Sequence, residues 1–318
     1  MNIKSSIIEN KYLKIRTLNI GASLYEVIYN KNNLILNLGS IENYKKKHPF
    51  VGSTCGRYAN RIYKGQFIIK GKKYNLVKNE YLNTIHGGKR GFDKIIWKIY
   101  SHSKKKIVYN LKSKHLDQGF PGNLSIFCEY KLKKNELILS YYFKSDKYTH
   151  VNLTNHSYWN FNTRKNIKIF NHDLKINSNY YLPVNKQNIP IGYKKKVFNN
   201  DYDFRKFSNL GYKTSYGMKS YDINYITGSK KKHFVACLIN RISKIKMKIY
   251  SNQPGLQLYT GHKLNYKSKQ KKLSSFQGLC LETQHFPNSP NQRNFPSTLV
   301  LPKKKYRLFT NYKFEKVL

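Results

Sequence analysis

The segment VNLTNHSYWNF, residues 151–161, sets His156 among three asparagines, a threonine, a serine and three aromatic rings. Three roles suit an imidazole in such company. It is a core histidine satisfied by its Asn and Ser neighbours, a metal ligand, or a general acid, since imidazole titrates near pH 7. The metal role has the least support, because no His or carboxylate follows at i+2 or i+4. Glu282, in GLCLETQHFP, follows the apolar run Leu279-Cys280-Leu281. That run reads as a strand entering the core with a carboxylate at its inner end. Desolvation there raises a carboxylate pKa and makes a better base near neutrality; the plain alternative is an ordinary edge glutamate.

Further polar groups sit in equally distinctive segments. His86 precedes paired glycines in NTIHGGKRGF, where the backbone either approaches a ligand closely or only turns tightly. Asn60 and Arg61, in GRYANRI, present several fixed donors that suit hydroxyls or carboxylates; Arg61 is alternatively a structural arginine closing a loop. Gln257, in PGLQLYTG, alternates with Leu256 and Leu258 and so faces away from them, into a polar pocket or into solvent. Asp222, in SYDINYI, is either a site carboxylate or a buried turn aspartate. No phosphate-binding glycine loop, nucleophile elbow or metal-ligand set accompanies them. Two histidines, two carboxylates, Asn, Arg and Gln among aromatics suit a neutral, hydroxyl-rich ligand with one acid and one base for proton transfer.

The elements that must position these groups read as strands. Short apolar or alternating runs recur, among them NNLILNL, GQFIIKGKKYNLV, KIIWKIY, KKIVYNL, LSIFCEYKL, ELILSYYF, DLKINSNYYL, HFVACLI, KIKMKIYS and LQLYTG. Turn residues separate them, as in GFPGN, TGSK and SNQPG. Close spacing of many short strands predicts an all-β, antiparallel sandwich or barrel. No repeat, linker or composition shift divides the 318 residues, so one domain over 1–318 is expected.

The net charge of +45 suggests a polyanion partner. Only nine of the 60 basic residues are arginine, however, although the guanidinium fork matches phosphate best. Lys, Asn, Ile and Tyr are abundant together and share A/T-rich codons, so nucleotide bias accounts for the mixture. The lysine runs are scattered and read as solvated, and no nucleic-acid partner is expected. In a chain with 15 acidic residues, carboxylates retained in distinctive segments, such as Asp93, Asp117, Asp222 and Glu282, are expected to have a reason. The N-terminus lacks a continuous apolar core, and no run approaches the ~20 apolar residues that span a bilayer. Four cysteines without a CxxC pair predict neither a zinc site nor a disulfide framework, and a reducing cytoplasm is expected.

Eight segments in order, VGSTCGRYANRI, NTIHGGKRGFDKIIW, DQGFPGNL, VNLTNHSYWNF, YYLPVNKQNIP, YDINY, PGLQLYTG and LETQHFPNSPNQRNFPSTLVLP, resemble the aldose 1-epimerase (galactose mutarotase) family almost end to end. The resemblance implies a large antiparallel β-sandwich of the mutarotase type with the sugar in an open cleft. It implies Glu282 as general base, His156 as general acid, and a sugar-binding set of Asn60, Arg61, His86, Ser157, Tyr158, Asp222 and Gln257. Asn155, Ser157 and Tyr158 are further expected to orient His156. Three positions depart from the family pattern: Ile85 for Leu, Trp159 for Phe and Ile223 for a histidine. The implied reaction interconverts the α and β anomers of free aldohexoses such as glucose and galactose, with no cofactor or metal, in a monomer or homodimer. Two alternatives stand beside it: an epimerase of phosphorylated hexoses, and a non-catalytic sugar-binding protein on the same fold.

Overall fold

The computed structural model describes residues 2–228 and 231–317; the turn read at TGSK therefore lies partly outside the described residues. Every strand ladder among the described residues is antiparallel. Nine strands make the large sheet, in the spatial order Lys98–Ser103, Lys106–Ser113, Leu124–Lys133, Glu136–Ser145, Tyr306–Lys316, Ile245–Ser251, His233–Asn240, His172–Ile176 and Ser208–Asn209. Six make the smaller one, in the order Tyr158–Trp159, Leu279–Gln284, Gly255–Tyr259, Asp222–Ile226, Tyr180–Leu182 and Lys195–Lys196. The described α-helix spans only Leu210–Lys213. This is the expected all-β sandwich.

The strand pleat explains how the two sheets meet. On the small sheet Ile223, Leu258 and Leu281 lie side by side across three strands, and Trp159 pairs with Leu279, two residues along the same face. They share one hydrophobic cluster with Met247, Ile249, Tyr312 and Phe314 of the large sheet. The Trp159 and Tyr312 rings sit 5.0 Å apart, and Thr283 hydrogen-bonds Thr310 across the gap. Residues one step along each strand point to the opposite face. That face carries Asp222, Tyr259, Cys280 and Tyr158 in one row and Asn224, Gln257 and Glu282 in the next.

The sequence reading differs from the structure at several strands. A four-stranded sheet of Ser5–Glu9, Leu13–Leu18, Ser23–Tyr29 and Asn32–Asn33 forms from a region where only NNLILNL was picked out. Of that run Asn32–Asn33 alone is strand, and Ile35 makes an isolated bridge to Trp159. KIIWKIY enters its strand only at Lys98, because Phe92–Lys94 forms a 3₁₀ turn before it. The run GQFIIKGKKYNLV folds as a hairpin, Gln66–Ile69 against Lys72–Asn75.

Candidate active site

Glu282 lies in the middle of the Leu279–Gln284 strand, all six residues of which are buried. Both faces of this strand are covered, so its alternation is hidden in the sequence behind an apolar run. Cross-strand pairing with Gln257 puts the two side chains on one face, and Gln257 pairs in turn with Asn224. Gly255 is next in this arrangement; a Cβ there would lie 2.6 Å from Asn224 Oδ1, so only glycine leaves that side chain its place. Gln257 therefore faces the polar site rather than solvent. Its Nε2 donates to Asp222 Oδ1 at 2.7 Å.

His156 arrives from a separate connection between Thr154–Asn155 and Tyr158–Trp159. Its backbone is tied on both sides: its N–H donates to Ser53 O, and its carbonyl accepts from Gly52 N–H, each at 2.9 Å. Nε2 stands 3.8 Å from Glu282 Oε1, and Nδ1 stands 3.4 Å from Cys280 Sγ. The rings of Phe50, His86, Tyr158 and Tyr259 surround it, with centroids 5.7, 5.4, 5.1 and 6.3 Å away. Burial lowers the His156 pKa to about 4. Burial also raises Glu282 well above the usual carboxylate range, Asp222 adding to the rise while Arg61 opposes it.

Asn60 and His86 form a second wall. Both adopt left-handed backbone, φ 63° and 50°, a region sparsely populated outside glycine. Each braces the other: Asn60 N–H donates to His86 Nδ1 at 3.3 Å, and His86 N–H donates to Asn60 O at 3.2 Å. An acceptor at Nδ1 puts the proton of the neutral ring on Nε2. Burial, helped by His156 and Arg61, holds His86 neutral by lowering its pKa well below the ordinary value. The close approach that Gly87 permits is to the protein itself, since a Cβ there would lie 1.9 Å from Gly56 O.

Arg61 reaches the site with its guanidinium already paired. Nε and Nη2 donate to the two oxygens of Glu80 at 2.6 and 2.9 Å, and Nη1 stands 3.7 Å from Asp222 Oδ2. Burial by itself would lower the Arg61 pKa, but the Glu80 hydrogen bonds and the Asp222 charge hold it above its usual value. The arginine that closes loops is Arg57, wholly enclosed, donating to Pro121 O, Gly122 O, Lys114 O and Ser113 Oγ at 2.6–3.0 Å. Asp117 accepts from that same Ser113 hydroxyl at 2.6 Å.

His156, Glu282, His86, Arg61, Asn60, Asp222 and Gln257 thus meet at one place. Ser157 and Tyr158 adjoin it with their hydroxyls already donated, Ser157 to Asn155 Oδ1 at 2.5 Å and Tyr158 to Pro49 O at 3.1 Å. Asn155 Nδ2 in turn holds Gly52 O at 2.7 Å, so these groups brace the loop that carries His156. Sequence reasoning did not pick out Phe50, Glu80, Asn224 or Cys280. Glu80 had a legible signal, being an uncommon carboxylate six residues before His86.

His156, Cys280 and Glu282 bring donor atoms within 4.8 Å of one another. The imidazole, however, turns Nδ1 to the thiol and Nε2 to the carboxylate, an arrangement for relaying a proton. Glu282 Oε2, Asn224 Oδ1 and both polar atoms of the Gln284 amide are buried without a protein partner. Buried polar atoms ordinarily have one, so this face of the small sheet is polar and incompletely satisfied.

A sequence profile described as aldose 1-epimerase matches residues 4–313. The chain belongs to the aldose 1-epimerase family. It is 37% identical over 290 residues to human galactose mutarotase, covering 89% of this chain and 84% of that one. It is 32% identical over 292 residues to the aldose 1-epimerase of Escherichia coli K12, with 88% and 84% coverage. Its structure is similar to an aldose epimerase homologue from C. elegans, with a TM-score of 0.93 and 25% identity over the whole of both chains. A galactose 1-epimerase from Lactobacillus acidophilus gives a TM-score of 0.88 and 27% identity over 100% of this chain and 99% of that one.

Proposed function

We propose that this aldose 1-epimerase family member interconverts the α and β anomers of free aldohexoses, glucose and galactose among them, with Glu282 as general base and His156 as general acid. One observation carries the assignment: a carboxylate and an imidazole, both buried, face each other at 3.8 Å among Asp222, Gln257, Arg61 and His86. Glu282 takes the proton of the C1 hydroxyl as His156 Nε2 gives one to the ring oxygen. The bond from C1 to the ring oxygen breaks and the aldehyde forms. Rotation about C1–C2 presents the other carbonyl face, and the proton transfers reverse on closure. His86 Nε2–H, Arg61, Asn60, Asp222 and Gln257 hold the remaining hydroxyls. The reaction is redox-neutral and transfers no group, so these residues suffice without a cofactor.

The proton count explains why burial serves this reaction. An ionised pair, Glu282 carboxylate with His156 imidazolium, holds as many protons as a neutral pair. Ring opening converts the first into the second. Burial raises Glu282 and lowers His156, favouring the neutral pair and hence the open-chain state. General acid and general base each contribute about 10²–10⁴-fold.

A reducing, cytoplasmic setting belongs to this proposal and is supported by Cys55, Cys128, Cys237 and Cys280, all free and buried. No helix among the described residues is long and apolar enough to cross a membrane. We further read the chain as one domain, a monomer or homodimer, without a nucleic-acid partner.

Polarimetry tests the function. Freshly dissolved α-D-glucose or α-D-galactose should lose optical rotation faster with the protein than alone. Glu282→Gln and His156→Asn should each lower that acceleration about 10²–10⁴-fold while sugar binding, read by calorimetry, persists. Near wild-type rates in either variant would remove that residue's role.

A further inference from the structure

Cys280 takes no part in the proton transfers just described, yet its sulfur stands 3.4 Å from Nδ1 of His156 and is wholly buried. Among the described residues this is the polar side-chain contact of Nδ1. The other ring nitrogen meets Glu282 Oε1 at 3.8 Å. We propose that Cys280 is a positioning residue whose sulfur accepts the Nδ1–H of His156, reserving Nε2 for proton exchange with the sugar ring oxygen. The inference rests on His156 being the general acid.

The reaction itself imposes this polarity. As the C1 bond to the ring oxygen breaks, the Nε2–H bond breaks and a bond from hydrogen to the ring oxygen forms. Imidazolium becomes neutral imidazole. Nδ1 must keep its proton throughout, or the product would be an imidazolate. The group at Nδ1 therefore has to accept a hydrogen bond in both states. A thiol sulfur does so weakly. Burial, with Glu282 beside it, keeps this thiol protonated by raising its pKa well above the usual value. An uncharged acceptor orients the ring without trapping the imidazolium, as a carboxylate there would.

Strand geometry makes the placement economical. Cys280 and Glu282 are two residues apart on one strand, so both side chains point to the site face. Cys280 pairs across the sheet with Tyr158 on one side and Tyr259 on the other, and both tyrosine rings flank the imidazole. One strand thus supplies the base and the group that sets the tautomer of the acid.

The test is the tautomer of His156, read from imidazole ¹⁵N shifts, with its signals among the ten histidines assigned by their loss in His156→Asn. The neutral ring of the wild-type protein should carry its proton on Nδ1. In Cys280→Ala, and in the near-isosteric Cys280→Val, the proton should move to Nε2. In both variants kcat should fall about 10- to 100-fold, the loss expected for one hydrogen bond to a charged group, with KM unchanged within about twofold. Cys280→Ser, which restores an acceptor, should recover most of the lost kcat. A wild-type Nε2–H tautomer would overturn the inference, whether or not any variant folds. So would Ala and Val variants that keep both the Nδ1–H tautomer and wild-type kcat. Wild-type protein that fails to accelerate mutarotation would instead overturn the assigned function, and the tautomer measurement does not depend on it.

Discussion

At the scale of single residues, the shifts of Glu282 and His156 predict an unusual pH profile. Were both pKa values ordinary, the pair would hold its one exchangeable proton only between the usual Glu and His values, near 4.3 and 6.5. Here burial lowers His156 to about 4 and raises Glu282 well above its usual range. The second proton is taken up only near pH 4, and the first is lost only well above the carboxylate range. Initial-rate polarimetry should therefore show the acid limb of kcat/KM near pH 4 and the alkaline limb displaced above the usual carboxylate range; an acid limb near pH 6.5 would contradict the shifts. Glu80 permits a second test. It holds Arg61 by two hydrogen bonds, and such bidentate pairs fix geometry as well as energy. Glu80→Gln keeps the shape but weakens one bond. KM should rise about tenfold, roughly 1.4 kcal/mol of sugar binding, with kcat changed less. An unchanged KM would show that Arg61 is fixed without Glu80.

At the scale of elements, the site is a meeting of the small sheet with three connections. The sheet floor is set by cross-strand register and the walls by loops 50–61, 79–93 and 150–158. The loop carrying His86 is pinned by glycine contact: Gly87, at φ 89°, would bring a Cβ within 1.9 Å of Gly56 O. Gly87→Ala should cost at least about 3 kcal/mol of unfolding free energy, combining left-handed strain with a backbone clash. Because the displaced segment carries His86, KM should rise in whatever fraction folds. Urea unfolding and polarimetry check both, and wild-type stability in the variant would contradict the packing. How far these elements were legible follows from the same geometry. The alternation of Gly255–Tyr259 was readable, and it turned Gln257 from Leu256 and Leu258 as expected. The buried run Leu279–Leu281 hid its own alternation, so Cys280 passed as core. The Ser5–Tyr29 strands were missed although their apolar residues alternate.

At the scale of the whole molecule, the charge of +45 is spread over a solvated surface with few carboxylates to share. Glu315 alone bonds Lys246, Lys248 and Lys313 at 3.1–3.2 Å. Lys165 departs from the solvated pattern: half-buried, it donates to Asn32 Oδ1 and Asn160 O, and burial lowers it to about 7. Acid should destabilise the fold strongly. Burial lowers His48, His150 and His156 to about 4, His172 to about 3, and His86 well below its usual value. His172 shows why: Nδ1 donates to Ile169 O and Nε2 accepts from Phe161 N–H, leaving no place for a second proton. Between pH 6.5 and about 4 the unfolded chain takes up protons that the folded chain refuses, so stability falls with pH. Burial lowers His262 as well; Asp93, raised to about 6, and Glu282 act in the opposite sense, two groups against six. Unfolding free energy by urea should drop by at least about 2 kcal/mol from pH 7 to pH 5. Constant stability over that range would mean that these histidines are not held neutral.

The sequence by itself determined the fold class, because strand period and turn chemistry are local. It also pointed to His156, Glu282, His86, Asn60, Arg61, Asp222 and Gln257 as candidates, because motif order and residue type survive the lysine-rich background. Tertiary structure decided the rest. Which arginine reaches the candidate site and which closes loops, which carboxylate grips Arg61, and which nitrogen of His156 meets sulfur all depend on contacts between residues far apart in the chain. Arg61 meets Asp222, and His156 meets Cys280 and Glu282, only after the segments carrying Arg61 and His156 have packed on a small sheet whose strands are already aligned. Register across a sheet is set by the hydrophobic face each strand buries. That face is a property of the packed sandwich, which no single segment carries.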